Sequence, residues 1–244
     1  MTSPYAQDGF GAGFDWGPVG AEVVAGDIVA VVDVLSFTTA VTVAADRGID
    51  VYPYRWRDET AVTYAERYGA TLAVGRSAAG PDEVSLSPVS IRRVTGITKL
   101  VLPSPNGSTI SKQLSDTGAT VIAVSLRNRS AAAAWVRQQQ PRKVVAIAAG
   151  ERWPDGSLRP AVEDLWGAGG FLGALGRDAL SPEATAAVAA YDAVAGDLPR
   201  MLHECAGGRE LTQYGFEGDV AIAAEVDTSR CVPVLRDGTM FRSI

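Results

Sequence analysis

Ile28-Val29-Ala30-Val31-Val32-Asp33-Val34-Leu35-Ser36-Phe37-Thr38-Thr39-Ala40-Val41 is an apolar run that stops on a carboxylate and passes within a few residues to hydroxyls. Residues 28–32 are short and rich in β-branched side chains, as a buried strand requires, and over residues 38–47 the apolar positions recur at helical spacing. A strand tip leading into a helix start is where open α/β sheets hold ligands. An acid followed by hydroxyls at such a tip suits metal and phosphate chemistry.

The same strand, loop, helix order recurs outward from this unit. Residues 51–53 read as a strand, residues 58–68 as a helix with an acidic start, and residues 71–74 as a strand ending at Gly75-Arg76. Residues 77–96 contain Gly80-Pro81 and Ser87-Pro88 without clear periodicity, so a long, lid-like loop is expected there. Strands follow at 99–102, 120–124 and 143–148, with helices at 108–114, 130–136 and 162–175. The alternation predicts an α/β fold, a largely parallel sheet with helices on both faces. From residue 181 the chain reads as helices at 182–194 and 198–211, then two short strands around Asp237-Gly238, a hairpin-turn signal. The alanine-rich tail suits either completion of a second lobe or a homo-oligomer interface. Gly9-Phe10-Gly11-Ala12-Gly13 matches a dinucleotide glycine pattern only in letters, since no strand pattern precedes it; a flexible terminus is expected.

Composition narrows the function classes. With 244 residues, 47% of them hydrophobic, the chain can bury a large core, and a formal net charge of -6 without Lys/Arg runs argues against nucleic acid as a partner. No apolar run approaches the ~18 residues of a membrane span, and no leader pattern opens the chain, so no membrane partner and a cytoplasmic location are expected. Cys205 and Cys231 form no CxxC pair and read as packed thiols. His203 is the sole histidine, which leaves no histidine-rich metal site and no Ser-His-Asp triad beyond that one residue.

In a parallel sheet the residues after each strand share one edge, and here they are chemically coherent. Asp33, Ser36, Thr38 and Thr39 follow the first strand, and Arg76 follows residue 74. Ser104, Asn106, Gly107 and Ser108 follow residue 102; Ser125, Arg127, Asn128 and Arg129 follow residue 124; Glu151 and Arg152 follow residue 148. Hydroxyls, amides and helix N–H groups bind phosphate oxygens, arginine adds a planar fork, and Asp33 with Glu163 or Asp164 offers oxygen ligands suited to Mg2+. Helix capping would account for any one of Ser36, Thr38, Ser108 or Ser130, and the dipole of a helix start for Glu163-Asp164. It is the convergence that points to a small anionic phosphorylated substrate.

Four stretches together carry a family resemblance. Val31-Val32-Asp33-Val34-Leu35-Ser36-Phe37-Thr38-Thr39, Pro105-Asn106-Gly107-Ser108, Ser125-Leu126-Arg127-Asn128 and Val162-Glu163-Asp164 resemble, in order, the motifs of the 2-phosphosulfolactate phosphatase (ComB-like) family. The resemblance implies a Mg2+-dependent phosphatase, a phosphoric monoester hydrolase that converts 2-phospho-3-sulfolactate to sulfolactate and phosphate, a step toward coenzyme M. It also implies a two-lobed α/β/α arrangement with the site in the cleft; the lobes here are residues 1–125 and 126–244, with a single folding unit as the alternative. On this reading Asp33, Glu163 and Asp164 hold the metal, and Asp33, Asn106, Arg127 and Glu163 carry catalysis. Ser36, Thr38, Thr39, Arg76, Ser104, Gly107, Ser108, Ser125, Asn128 and Arg152 bind substrate, with Arg76 or Arg152 at its second anionic end. Ser36 stands where many members carry Arg, and Ser104-Pro105-Asn106-Gly107 replaces a Thr-Thr-Asn-Gly turn. A phospho-aspartyl route would need a second Asp at position 35, which is leucine. The alternative reading is a catalytically quiet binder of a small anionic metabolite in the same cleft.

Overall fold

The computed structural model of the chain describes residues 3–55, 58–80 and 83–244. Strand β1 (Ala12–Trp16) leads through helix α1 (Gly17–Val23) to β2 (Ile28–Val32) and α2 (Phe37–Asp46), then to β3 (Asp50–Tyr54), α3 (Glu59–Tyr68), the short β4 (Thr71–Leu72) and α4 (Pro88–Arg93). Next come β5 (Lys99–Pro103) with α5 (Gly107–Leu114), β6 (Thr120–Val124) with α6 (Arg129–Gln139), and β7 (Val144–Ala148). A small hairpin, β8 (Glu151–Arg152) and β9 (Leu158–Arg159), precedes α7 (Val162–Leu175). Helices α8 (Pro182–Asp192), α9 (Leu198–Glu204), α10 (Ala206–Gln213) and α11 (Glu217–Ala223) lead to β10 (Pro233–Arg236) and β11 (Met240–Ser243).

Local chemistry explains the boundaries. Asp58 caps α3 by accepting from the Thr60 amide, and Ser181 caps α8 ahead of Pro182 at the first helical position. Within the expected loop 77–96 the same device builds α4: Ser87 accepts from the Ser90 amide and Pro88 opens the helix, so the stretch is partly helical. Pro81, also in that expected loop, lies outside the described residues. The expected helix 198–211 is two helices, because Cys205 is extended and its thiol accepts from the Gly208 amide to start α10. The glycine-rich opening is not a free terminus either: β1 pairs in parallel with β7 from Ala12↔Val144 to Trp16↔Ala148.

Among the described residues the main sheet has nine strands in the order β1-β7-β2-β6-β10-β11-β3-β5-β4. The first four are mutually parallel, as are the last three, and the β10–β11 hairpin joins the groups through antiparallel pairs. The α/β, largely parallel architecture expected from the alternation is therefore present, with β1 and β2 paired to β7 from beyond residue 125. Asp237 and Gly238 turn the hairpin with φ of 51° and 60°, the left-handed pair a tight two-residue turn needs. Pro233 is tolerated inside the sheet because it is the first residue of β10.

Because the hairpin intervenes, β3, β5 and β4 run opposite in sense to β2. Neighbouring strands turn by roughly 20–25°, so the five steps from β2 to β5 accumulate on the order of 100°. That rotation lets the carboxyl ends of β2 and β5 approach each other across the helices between them.

Alternation along β2 feeds two cores. Ile28, Ala30 and Val32 pack with α6, α7 and α8 on one face, and Val29 and Val31 pack with α1, α2 and α5 on the other. Helices thus cover both faces of the parallel strands, which is why all of β2 is apolar. Among the described residues no helix is long and apolar enough to cross a membrane.

Candidate active site

Asp33 stands at the tip of β2, only 5% exposed. The backbone amide of Phe37, in the first turn of α2, donates to its Oδ1 at 3.0 Å, and the amide of Gly107, opening α5, donates to Oδ2 at 2.9 Å. Two helix starts from different parts of the sheet therefore aim their positive ends at one carboxylate. Gly107 is required for this approach: a Cβ there would lie 2.3 Å from Phe37 Cδ1 and 2.8 Å from Asp33 Oδ2. Thr38 and Thr39 stitch the turn itself. The Thr38 hydroxyl accepts from the Asp33 amide and donates to the Asp33 carbonyl, and the Thr39 hydroxyl donates to the Val34 carbonyl.

A second acidic pair arrives on α7. Asp164 accepts from the Val34 amide at 2.7 Å and the Gly150 amide at 2.9 Å, tying the loops after β2 and β7 together. Glu163 is 2% exposed, its Oε2 is buried without a hydrogen-bond partner, and Oε1 faces Gly207, where a Cβ would fall 2.3 Å away. Glu151, half-buried on β8, completes the group, with Asn106 Nδ2 donating to its Oε2 at 2.9 Å.

Electrostatics set this cluster apart. Burial, opposed by the Phe37 and Gly107 amides and reinforced by Glu163, raises the Asp33 carboxyl to about 6. Burial and the Asp33 charge raise Glu151 to about 7, with Asn106 pulling the other way. Burial also raises Glu163, and burial with the charges of Asp33 and Glu163 holds Asp164 well above the usual carboxylate range. Groups pushed upward together by burial and mutual repulsion mark a site built to receive positive charge or protons.

Beside the acids opens a cleft of about 620 Å³, whose lining includes Leu35, Arg76, Glu151, Gly207, Tyr214 and Phe216. Arg76 Nη2 donates to the buried Ser36 hydroxyl at 2.8 Å, which places a guanidinium next to the Asp33 turn.

Other residues singled out in the sequence lie elsewhere or are engaged in the scaffold. Arg127 is 5% exposed and reaches Asp46, at the far end of α2, with Nη1 at 2.9 Å, and Glu225 with Nε at 3.3 Å. Ser125 meets Thr42 at 3.2 Å, and Asn128 accepts from the Ser125 amide while donating to the carbonyls of Ala123 and Cys231. Ser108 donates to the Leu102 carbonyl, Ser104 is buried with its amide on the Tyr54 carbonyl, and Arg152 is exposed and donates to the Gly156 carbonyl.

Residues 20–238 match the family described as 2-phosphosulpholactate phosphatase. The chain belongs to that family. The match covers Asp33, Asn106, Gly107, Glu151, Glu163 and Asp164, so the whole acid cluster is family territory. A probable 2-phosphosulfolactate phosphatase from Thermus thermophilus is 30% identical over 222 residues, covering 86% of this chain and 88% of that one. Others so named, from Thermosynechococcus vestitus and Microcystis aeruginosa, are 28% and 25% identical over 90% and 88% of this chain and 90% and 91% of their own.

For this member of a phosphoric monoester hydrolase family, the donor set can be tested against a hard cation. Glu163 Oε2 lacks a partner, and Asp33 and Glu151 offer further oxygens in a cluster whose repulsion is incompletely offset. Among the described residues no three His, Cys, Asp or Glu side chains are gathered as ligands of one ion. At most two of these carboxylates could therefore serve a single ion, and water or substrate oxygens would have to complete the shell of a hard cation. Glu151 was visible in the sequence as a polar residue after β7 but carried no role there. Its burial and its contact with Asn106, 45 positions away, come only from the fold.

Proposed function

We propose that this chain is a Mg2+-dependent phosphatase that hydrolyses a phosphorylated 2-hydroxy acid, 2-phospho-3-sulfolactate, to sulfolactate and phosphate. The observation that supports this best is the cluster of Asp33, Glu163 and Asp164, all buried, with half-buried Glu151, inside the span that matches the family. Asp33 and Glu163 would hold the ion, which when bound polarises the phosphoryl group and lowers the pKa of a coordinated water. Asp164, with both oxygens on backbone amides, positions the loops that carry Asp33 and Glu151.

Glu151 is the proton carrier in this reading. Asn106 donates to Oε2, so a proton carried by Glu151 would sit on Oε1. As water adds to phosphorus and the ester P–O bond breaks, that proton passes to the departing 2-hydroxyl oxygen, while one proton of the water stays on the released phosphate and the other restores Glu151. Arg76, in the wall of the cleft, takes the second acidic group of the substrate through its planar fork, with Ser36 bracing Nη2.

The test is phosphate release from 2-phospho-3-sulfolactate and from 2-phospholactate, with Mg2+ and with a chelator, for wild type and Asp33→Asn. Turnover that needs the cation and collapses in Asp33→Asn is expected. Tight binding without turnover would replace the proposal by a quiet metabolite binder, and activity indifferent to Asp33→Asn would remove the metal-site assignment.

A further inference from the structure

Arg76 does not hold its place alone. Behind it lies a cavity of about 880 Å³ whose lining includes Arg76, Ser87, Val89, Phe216 and Asp219, so Arg76 stands between that cavity and the active-site cleft. Asp219, on α11, is 1% exposed. Its Oδ1 accepts from the Ser87 hydroxyl and, at 3.2 Å, from the Val89 amide, while its Oδ2 faces Arg76 Nε at 3.3 Å. The guanidinium carbon lies 5.4 Å from the centre of the Phe216 ring. One edge of the guanidinium thus faces an acid as an ion pair, with no hydrogen bond between Nε and Oδ2, one face rests on an aromatic ring, and Nη2 reaches Ser36 at the acid cluster.

A buried carboxylate is costly unless it is paired. This one is gripped at Oδ1 by the start of α4 and placed against an arginine that lines the substrate cleft. We propose that Asp219 is a positioning residue for substrate recognition: braced by Ser87 and the Val89 amide, it fixes Arg76 so that the guanidinium meets the acid group at the non-phosphate end of the substrate. The inference rests on the functional reading above.

The test pairs kinetics with a direct view of Arg76. For Asp219→Asn, KM for 2-phospho-3-sulfolactate should rise about tenfold with kcat within twofold, and kcat/KM for phenyl phosphate, which lacks a second acid, should hold. Ser87→Ala should move KM the same way by about threefold, and it carries the test if Asp219→Asn does not fold. Asp219→Asn added to Arg76→Ala should cause no further change. In protein carrying 15N-arginine, the Arg76 Nε–H resonance should shift in Asp219→Asn as the ion pair is lost. Equal losses on both substrates, additivity with Arg76→Ala, or a resonance that Asp219→Asn leaves unmoved would each overturn the positioning role. If wild type hydrolyses neither substrate, the functional reading fails, and the resonance alone then decides whether Asp219 positions Arg76.

Discussion

The loops after β2 and β6 look alike in sequence and do opposite things in the fold. Both follow apolar strands that lie side by side, and both carry hydroxyls before a helix, with Asp33 and Ser36 after β2 and Ser125, Arg127 and Asn128 after β6. In the β6 loop every polar group closes on the scaffold: Asn128 on backbone, Ser125 on Thr42, Arg127 on Asp46 and Glu225. In the β2 loop the backbone gathers around Asp33, yet the carboxylates drawn to it remain poorly neutralised. Convergence of polar residues on a sheet edge therefore does not identify a site. Buried charge that its surroundings leave poorly compensated is the better guide, because leaving it so is costly to the fold.

The sharpest way to break this contrast is Glu163→Gln. One Glu163 oxygen has no partner and its charge acts on Asp33 and Asp164, so the neutral isostere should lower kcat/KM by about 10²–10⁴-fold, the range typical of a lost catalytic group. The melting temperature without cation should hold or rise, and a large fall would mean that the charge is structural. Gly107→Ala comes next: the Cβ would collide with Phe37 and Asp33. A loss of about 1–3 kcal/mol in denaturant unfolding is expected, with at least tenfold lower activity, as overpacking at a closed contact gives.

On the other side of the comparison, Arg127→Ala should cost about 2 kcal/mol or more, since it strands partners of a buried guanidinium. Specific activity of the folded protein should stay within threefold, and a hundredfold loss would return Arg127 to the catalytic site. Ser125→Ala, the smallest change, should cost under about 1 kcal/mol with no kinetic effect.

The acids also prescribe a pH dependence. Asp33 is raised from 3.8 to about 6 and Glu151 from 4.5 to about 7, so the native state binds more protons than the unfolded chain between those values. Their contribution to stability is complete below about pH 4 and is lost as pH rises through 6 and 7. Thermal unfolding without divalent cation should therefore show a melting temperature that falls across that window through these groups. Stabilisation by added Mg2+ should grow over the same window, because the cation competes with protons for the same oxygens. A Mg2+ effect independent of pH would separate the ion from this cluster.

Much of the fold could be read before any coordinates. The uninterrupted apolar run at 28–32 leaves little but a strand buried on both faces, Ser181-Pro182 starts a helix, and Asp237-Gly238 turns a hairpin, each because the deciding interaction is local. The misreadings had distant causes. β1 is a strand because β7 offers it a parallel edge, and α4 takes its place in a stretch without periodicity because Ser87 caps it and Asp219 accepts from its Val89 amide.

The site divides in the same way. Sequence alone determined that Asp33 follows a buried strand, that Asn106-Gly107 lies between a strand and a helix, and that Glu163-Asp164 falls at the start of another helix, since strand ends and helix starts follow from residue type and spacing. Only tertiary structure decided that Gly107 and Asp33 meet, that Glu151 joins them through Asn106, that Arg76 faces the cleft while Arg127 turns to Asp46, and that Asp219 stands behind Arg76. The physical reason is range. Hydrogen-bonding preferences act over a few residues, whereas which charges are left without a counter-charge depends on what the twist of the sheet and the packing of α7 and α11 bring together from more than a hundred residues away.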